Sequence, residues 1–372
     1  MRTTFLLLAL LAGVATHGQA QKAWQTEFGF QGGFNRLVDA GSASDPTDAI
    51  SFPGFNLGNA LPSAAGLYAI IPWKNKLAVE TDFAASQFSS GATVTLLSVG
   101  VRGDYALTKH AYAAAGGSLA YNNGLANETQ LGVQGGLGYR FALTAGLNAR
   151  FEGRVALFGK AENAGPVDVY SVLFGVSKVT SHGRTARSSA AHAPGGGRQW
   201  TTHIGISGGY ADVHLIGVGS VTAMAVPGYG GGLGNVFGAG AGQLRAITLP
   251  PTVFAVFPIG NTVALEPAVD IHRFQSGGQT DFSGNFSLRL DLAVHGGWYG
   301  ALGGNLNYIK STGVDAATRT GLNLASGYRF PLTHDVGGRV EANYTMFPDN
   351  STYGLPPTNT FGLMFGLTLP VK

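Results

Sequence analysis

Cysteine is absent and charge is scarce. With no thiol in the sequence there is no disulfide framework and no lipid-modified N-terminal cysteine. Charged residues make up 12% of the chain, about half the usual globular share, too few to wet the surface of a soluble protein of this size. Beyond the N-terminus no run approaches the roughly 18 consecutive apolar residues that a membrane helix needs. Residence in a membrane would therefore have to come from strands. The formal net charge of +3 is small and scattered, with no basic stripe, which argues against nucleic acid as a partner.

Glycine, in contrast, is abundant: 58 of 372 residues without a collagen-like period, about twice average usage. Residues 1–20 read as a secretory signal peptide, with Arg2, an apolar core from Phe5 to Val14, and the small-residue stretch Gly18-Gln19-Ala20. The remainder says the same thing twice. The segment Trp24 to Phe34 (WQTEFGFQGGF) returns as Trp200 to Tyr210 (WTTHIGISGGY), and Leu137 to Thr144 (LGYRFALT) returns as Ser326 to Thr333 (SGYRFPLT). Matches in conserved order across both halves mark a tandem duplication.

Each repeated segment alternates with period two, as strands do. The first half divides into Trp24–Leu37, Ala64–Trp73, Leu77–Phe88, Thr93–Leu107, Ala111–Asn122, Thr129–Leu143, Leu147–Phe158 and Val167–Lys178. Tight turns at 74–76, 108–110 and 144–146 alternate with longer connections; the second half has its tight turns at 260–261, 295–297 and 333–335. Short turns on one rim and long loops on the other predict an all-β, transmembrane antiparallel up-and-down β-barrel with the short turns facing the periplasm. The sixteen strands group as two homologous eight-stranded units, 21–178 and 199–372, joined by a polar flexible linker over 179–198. The alternative is one sixteen-stranded barrel. The longest outer loops are Val38–Ser63 and Val213–Ala246, the latter very rich in glycine.

Parity assigns the faces. Ala149, Phe151, Val155 and Leu157 share one face of their strand, and Arg150, Glu152 and Arg154 the other; the second copy sets Arg339 and Glu341 against Val340, Ala342 and Tyr344. The same alternation isolates Glu80, Asp82, Arg102, Asp104 and Arg140 in the first half, and Glu266, Asp270, Arg289, Asp291 and Arg329 in the second. A basic residue facing lipid near the midplane costs about 2–4 kcal/mol, so these residues should form a lumenal charge network. Near-balanced sign predicts paired arginines and carboxylates, because an unpartnered buried charge is far costlier. Such a network fills a narrow eight-stranded lumen; an ion-selectivity ring is the weaker reading. Trp24, Trp73, Trp200 and Trp298 fall at the expected periplasmic strand ends, with Tyr105, Tyr112, Tyr139, Phe141, Tyr299, Tyr328 and Phe330 at the same rim, and read as an interface girdle.

The rims offer little chemistry. Asp212, His214 and His272 lie near one another on the outer rim, but no motif places a nucleophile beside them and the first copy has no counterpart of His214. They read as solvated residues, and His203 as a lumenal hydrogen-bonding group. The glycine-rich stretch Tyr229–Gly242 lacks the helix and the Lys-Ser/Thr that a phosphate cradle requires. No catalytic, cofactor-binding or metal site is expected, and no cofactor.

With its signal peptide, four hairpins per half and repeated pairs Arg150/Glu152 and Arg339/Glu341, the chain resembles the small outer-membrane β-barrel proteins of the OmpA-transmembrane-domain, OmpX and OmpW type. The resemblance implies an outer-membrane location, outer-membrane lipid and the barrel-assembly machinery as partners, and a non-enzymatic structural, adhesive or small-solute-binding role through the outer loops, their extracellular ligand unknown. Such proteins usually end on an aromatic residue, whereas this sequence ends Leu367-Thr-Leu-Pro-Val-Lys372. A sixteen-stranded porin for passive diffusion and a soluble secreted β-protein are the competing expectations.

Overall fold

The computed structural model describes residues 24–39, 47–52, 66–90, 92–123, 127–144, 146–180, 200–217, 219–225, 253–276, 278–332, 336–349 and 357–371. Regular structure among them is strand throughout. The first repeat contributes β1 (Glu27–Asp39), β2 (Thr47–Phe52), β3 (Leu67–Lys74), β4 (Leu77–Ser90), β5 (Ala92–Ala106), β6 (Ala111–Asn123), β7 (Glu128–Thr144), β8 (Leu147–Phe158) and β9 (Val167–Val179). The second contributes β10 (His203–Leu215), β11 (Gly219–Ala225), β12 (Val253–Pro258), β13 (Val263–Ser276), β14 (Gln279–His295), β15 (Trp298–Ser311), β16 (Val314–Pro331), β17 (Gly337–Phe347) and β18 (Thr358–Pro370).

All pairings are antiparallel, and each repeat closes on itself. In the first, β1 meets β9 from Glu27 opposite Val179 to Asp39 opposite Val167. In the second, β10 meets β18 from His203 opposite Pro370 to Leu215 opposite Thr358. The result is two eight-stranded barrels rather than one of sixteen strands. The predicted signal peptide lies outside the described residues, as do 181–198 of the expected linker and the glycine-rich stretch 229–242. Val179, expected to open the linker, instead completes β9.

The second strand of each barrel comes in two pieces, and the pieces part company. The inner pieces stay at home: β3 lies between β1 and β4, and β12 between β10 and β13. The outer pieces cross over. Strand β2 pairs with β1 on one side and with β13 on the other, Ile271 opposite Phe52 through Gln275 opposite Asp48. Reciprocally, β11 pairs with β10 and with β4, Thr222 opposite Ser89 through Ala225 opposite Ser86. At their outer ends β2 and β11 therefore bridge the two walls, which run continuously as β9–β1–β2–β13 on one side and β18–β10–β11–β4 on the other. This corrects the reading of Val38–Ser63 and Val213–Ala246 as loops throughout, because each contains a strand. The physical reason is edge satisfaction: a barrel wall opened at its outer end exposes unpaired N–H and C=O groups, and the crossing strand pairs them.

Below the bridging strands the barrels lie side by side. Outward-facing Phe30 and Val176 of the first pack with Ile206 and Leu369 of the second, all buried, with Phe174, Ile204 and Leu367 partly buried against them. Lys178 crosses the same seam, its Nζ donating to the Pro370 carbonyl at 3.2 Å.

Elsewhere the outward face is an apolar belt. Val101, Leu131, Val133, Phe151, Leu157 and Val172 stand exposed around the first barrel, and Phe286, Leu288, Leu290, Leu302, Leu322 and Leu363 around the second. Soluble monomers rarely expose contiguous apolar surface on this scale, whereas a barrel in hydrocarbon needs it. The architecture is that of an outer-membrane barrel. At the inner rim, one two-residue hairpin illustrates local determination: Gly296 and Gly297 both take positive φ (58° and 94°) between paired His295 and Trp298, as a type I′ turn demands.

The filled lumens as candidate functional site

Inward positions of the first barrel meet in one charge cluster. Arg102 is its centre: Nη1 and Nη2 each lie 2.5 Å from an oxygen of Glu152, Nη2 lies 2.9 Å from Glu80, and Nε faces Asp104 at 3.2 Å. Arg150 pairs with Glu80 and donates to Gln31, while its guanidinium rests 3.6 Å over the Tyr68 ring. Arg154 meets Glu152 at 2.6 Å and Asp82 at 3.2 Å. Tyr112 donates its hydroxyl to Glu152 at 2.6 Å. Three arginines thus share four carboxylates, all buried. Burial strips these ions of water, so the bidentate geometry and the tyrosine donor are what offset the desolvation cost.

The second barrel repeats the plan in leaner form. Arg289 grips Glu341 with both terminal nitrogens (2.8 and 2.5 Å), and also reaches Glu266 at 2.8 Å and Asp291 at 3.1 Å. Arg339 meets Glu266 at 2.7 Å and lies 3.5 Å over Phe254; Tyr299 donates to Glu341 at 2.7 Å. Where the first barrel has the pair Arg154 and Asp82, the repeat alignment puts Asn343 and Ala268, so one whole ion pair is missing. Asp270 stands one ladder step further out than Ala268, accepting from the Asn285 N–H at 3.1 Å.

Beneath each cluster lies an aromatic floor. Trp24 donates Nε1 to the Lys76 carbonyl at 3.0 Å, and Arg140, itself paired with Glu27 at 2.9 Å, stacks 3.9 Å over the indole. Trp200 likewise donates to Thr262 at 2.9 Å beneath Arg329, which lies 3.5 Å away and pairs with Asp291 at 3.2 Å. Trp24 packs edge-on to Tyr112, and Trp200 to Tyr299.

This overturns half of the expected girdle. Trp73 and Trp298 are exposed at 68% and 57%, as interface residues should be, but Trp24 and Trp200 are exposed at only 2% and 1%. Tyr112 and Tyr299, also expected at the membrane interface, are buried inside. Trp24 and Trp200 precede the first residues of β1 and β10, so strand alternation does not govern where they point. Tyr299 was legible, because it shares its strand face with Asn305 and Asn307 against Leu302 and Leu306 on the other; Tyr112 was not, because alanines stand on both faces of its strand. The room both tyrosines need comes from Gly138 and Gly327, where any Cβ would fall within the tyrosine ring.

At the outer rim His214 bonds Ser220 through Nδ1 at 2.8 Å, joining β10 to β11. His203 is buried beside Phe254, with Nδ1 2.8 Å from the Thr201 carbonyl.

No protein-family model matches the chain, and no curated protein matches it. Among solved structures, the crystal structure of Neisserial surface protein A is similar at 13% identity, over 46% of this chain and 97% of that one, with a TM-score of 0.27. A bacterial polysaccharide outer membrane secretin is similar at 9% identity over 94% and 99% of the two chains, with a TM-score of 0.34. The NanC porin is similar at 10% over 78% and 100%, with a TM-score of 0.23. Such low scores carry no functional information.

Proposed function

We propose that the chain is a non-enzymatic outer-membrane protein whose two barrels act as a closed, non-conducting platform, and that its work is structural or adhesive through the outer rim. One observation carries this reading: in both lumens buried arginine–carboxylate clusters stand above an arginine-capped tryptophan, so each interior is occupied by its own side chains. An interior of eight strands has room for side chains and little else. The segments 21–178 and 199–372 are then the two working units, and the outer ends of β1, β2, β10 and β11 form the rim through which the chain works.

Cell fractionation with gel mobility tests the location. The protein should sediment with the outer membrane and run faster unboiled than boiled, the behaviour of an intact barrel. Recovery in the soluble periplasm or the medium would instead establish the secreted soluble reading. For the role, residues 54–63 and 228–246 are replaced by Gly-Ser spacers. Barrel mobility should be kept while adhesion of cells displaying the protein falls to the level of cells lacking it. Unchanged adhesion would remove the adhesive reading.

A further inference from the structure

The outward face of the second barrel carries a feature that the filled lumens do not account for. Arg273 of β13, Phe282 of β14 and Lys310 of β15 are direct ladder partners in one row, Arg273 opposite Phe282 and Phe282 opposite Lys310. Strand parity puts all three on the same side as Ile271, Phe286 and Leu306, the exposed belt. The row beneath is Ile271, Gly284 and Tyr308. Gly284 contributes no side chain, and Tyr308 turns edge-on to Phe282 with ring centroids 5.7 Å apart. The notch so formed opens to about 740 Å³, lined by Arg273, Thr280, Phe282, Tyr308, Lys310, Thr312, Gly313 and Asp315.

Its height matters. From Val294 at the inner end of β14 to Phe282, the strand climbs about 30 Å along the membrane normal, at about 3.3 Å per residue and a tilt of about 40°. That is the full thickness of a hydrocarbon core. The two cations therefore flank an aromatic floor at the level of outer-leaflet headgroups, with acyl chains lying against the leucines below. The Arg273 guanidinium is held by Gln275, Nη2 to Oε1 at 2.8 Å, rather than by a carboxylate. The first repeat is an internal comparison, since Gln87, Thr95 and Asn123 occupy the matching positions. The basic pair was acquired or kept on one barrel only.

We infer that this notch binds the phosphorylated headgroup of an outer-leaflet lipid, with Arg273 and Lys310 as the phosphate clamp and Phe282 and Tyr308 against the sugar or upper acyl segment. The inference rests on the membrane placement proposed above. A planar, forked guanidinium beside an ammonium suits phosphate oxygens, and paired cations next to anionic lipid gain from the surface potential as well.

The test is native mass spectrometry of the detergent-solubilised full chain titrated with diphosphoryl lipid A, and separately with inorganic phosphate. The wild type should retain one lipid A at low concentration, and the double variant Arg273→Gln with Lys310→Asn should need about tenfold more. Inorganic phosphate should not displace the lipid. Equal retention by the variant overturns the site, and displacement by inorganic phosphate overturns the lipid assignment in favour of a free-anion site. Outer-membrane fractionation and heat-modifiable mobility, measured on both proteins, keep the outcomes separate. A soluble or unfolded protein betrays itself there, and that result overturns the lipid site together with the membrane placement.

Discussion

At the scale of single residues the molecule is organised around buried arginines. Arg102 pairs with Glu80, Glu152 and Asp104 at once, so removing it takes the ion-pair partner from buried Asp104 and the bidentate donor from Glu152, leaving Glu80 to Arg150 and Glu152 to Arg154 and Tyr112. Arg102→Met should therefore lower stability by about 3–5 kcal/mol, read as a shift in the urea midpoint of the loss of the fast-migrating band. A variant as stable as wild type would mean that those carboxylates are solvated. Tyr299→Phe removes only one donor to Glu341 and should cost about 1.5–3 kcal/mol, the range for a hydrogen bond to a charged group. Neither loss should change with added salt, because screening acts on exposed pairs and not on ions sealed inside a wall of strands. Gly138→Val sets a branched side chain into the Tyr112 ring; overpacking of that kind costs about 1–3 kcal/mol or more, and the folded band should fall in proportion.

At the scale of elements the bridging strands β2 and β11 are the unusual part. Asp48 of β2 and Gln275 of β13 are direct partners across the two barrels, a pairing whose Cβ atoms lie about 5 Å apart, within reach of a disulfide. The chain has no cysteine to interfere. Cysteines at 48 and 275, with a specific protease site placed within 181–198, should give halves that stay joined on a denaturing gel after cleavage and separate on reduction. Halves that separate without reductant would show that β2 does not reach β13. This is also where sequence reading ran short. Long strands with strict alternation, such as Leu147–Phe158, announce both their ends and their faces, because one side must be apolar and the other carries Arg150, Glu152 and Arg154. A strand as short as Thr47–Phe52 carries too few alternations to stand out from a loop, and nothing in six residues says which barrel they join. The charged half of the site was legible for the same reason that the long strands were. Its aromatic floor was not: Trp24 and Trp200 lie before the first strand residues, where only tertiary contacts with Lys76, Thr262 and the capping arginines decide their direction.

At the scale of the whole molecule, duplication produced two copies of one closed tube and then let them diverge. The first holds the fuller ionic filling; the second has Asn343 and Ala268 where the first has Arg154 and Asp82, and carries a basic pair on its outward face. An apolar seam and two bridging strands, β2 and β11, hold the copies as one body. The central claim is that neither tube is a passage. Single-channel recording of the purified, heat-modifiable protein in a planar bilayer tests it directly. Side chains that fill both lumens predict a flat baseline with no sustained openings; a steady, porin-sized current from every inserted molecule would contradict the account at its root.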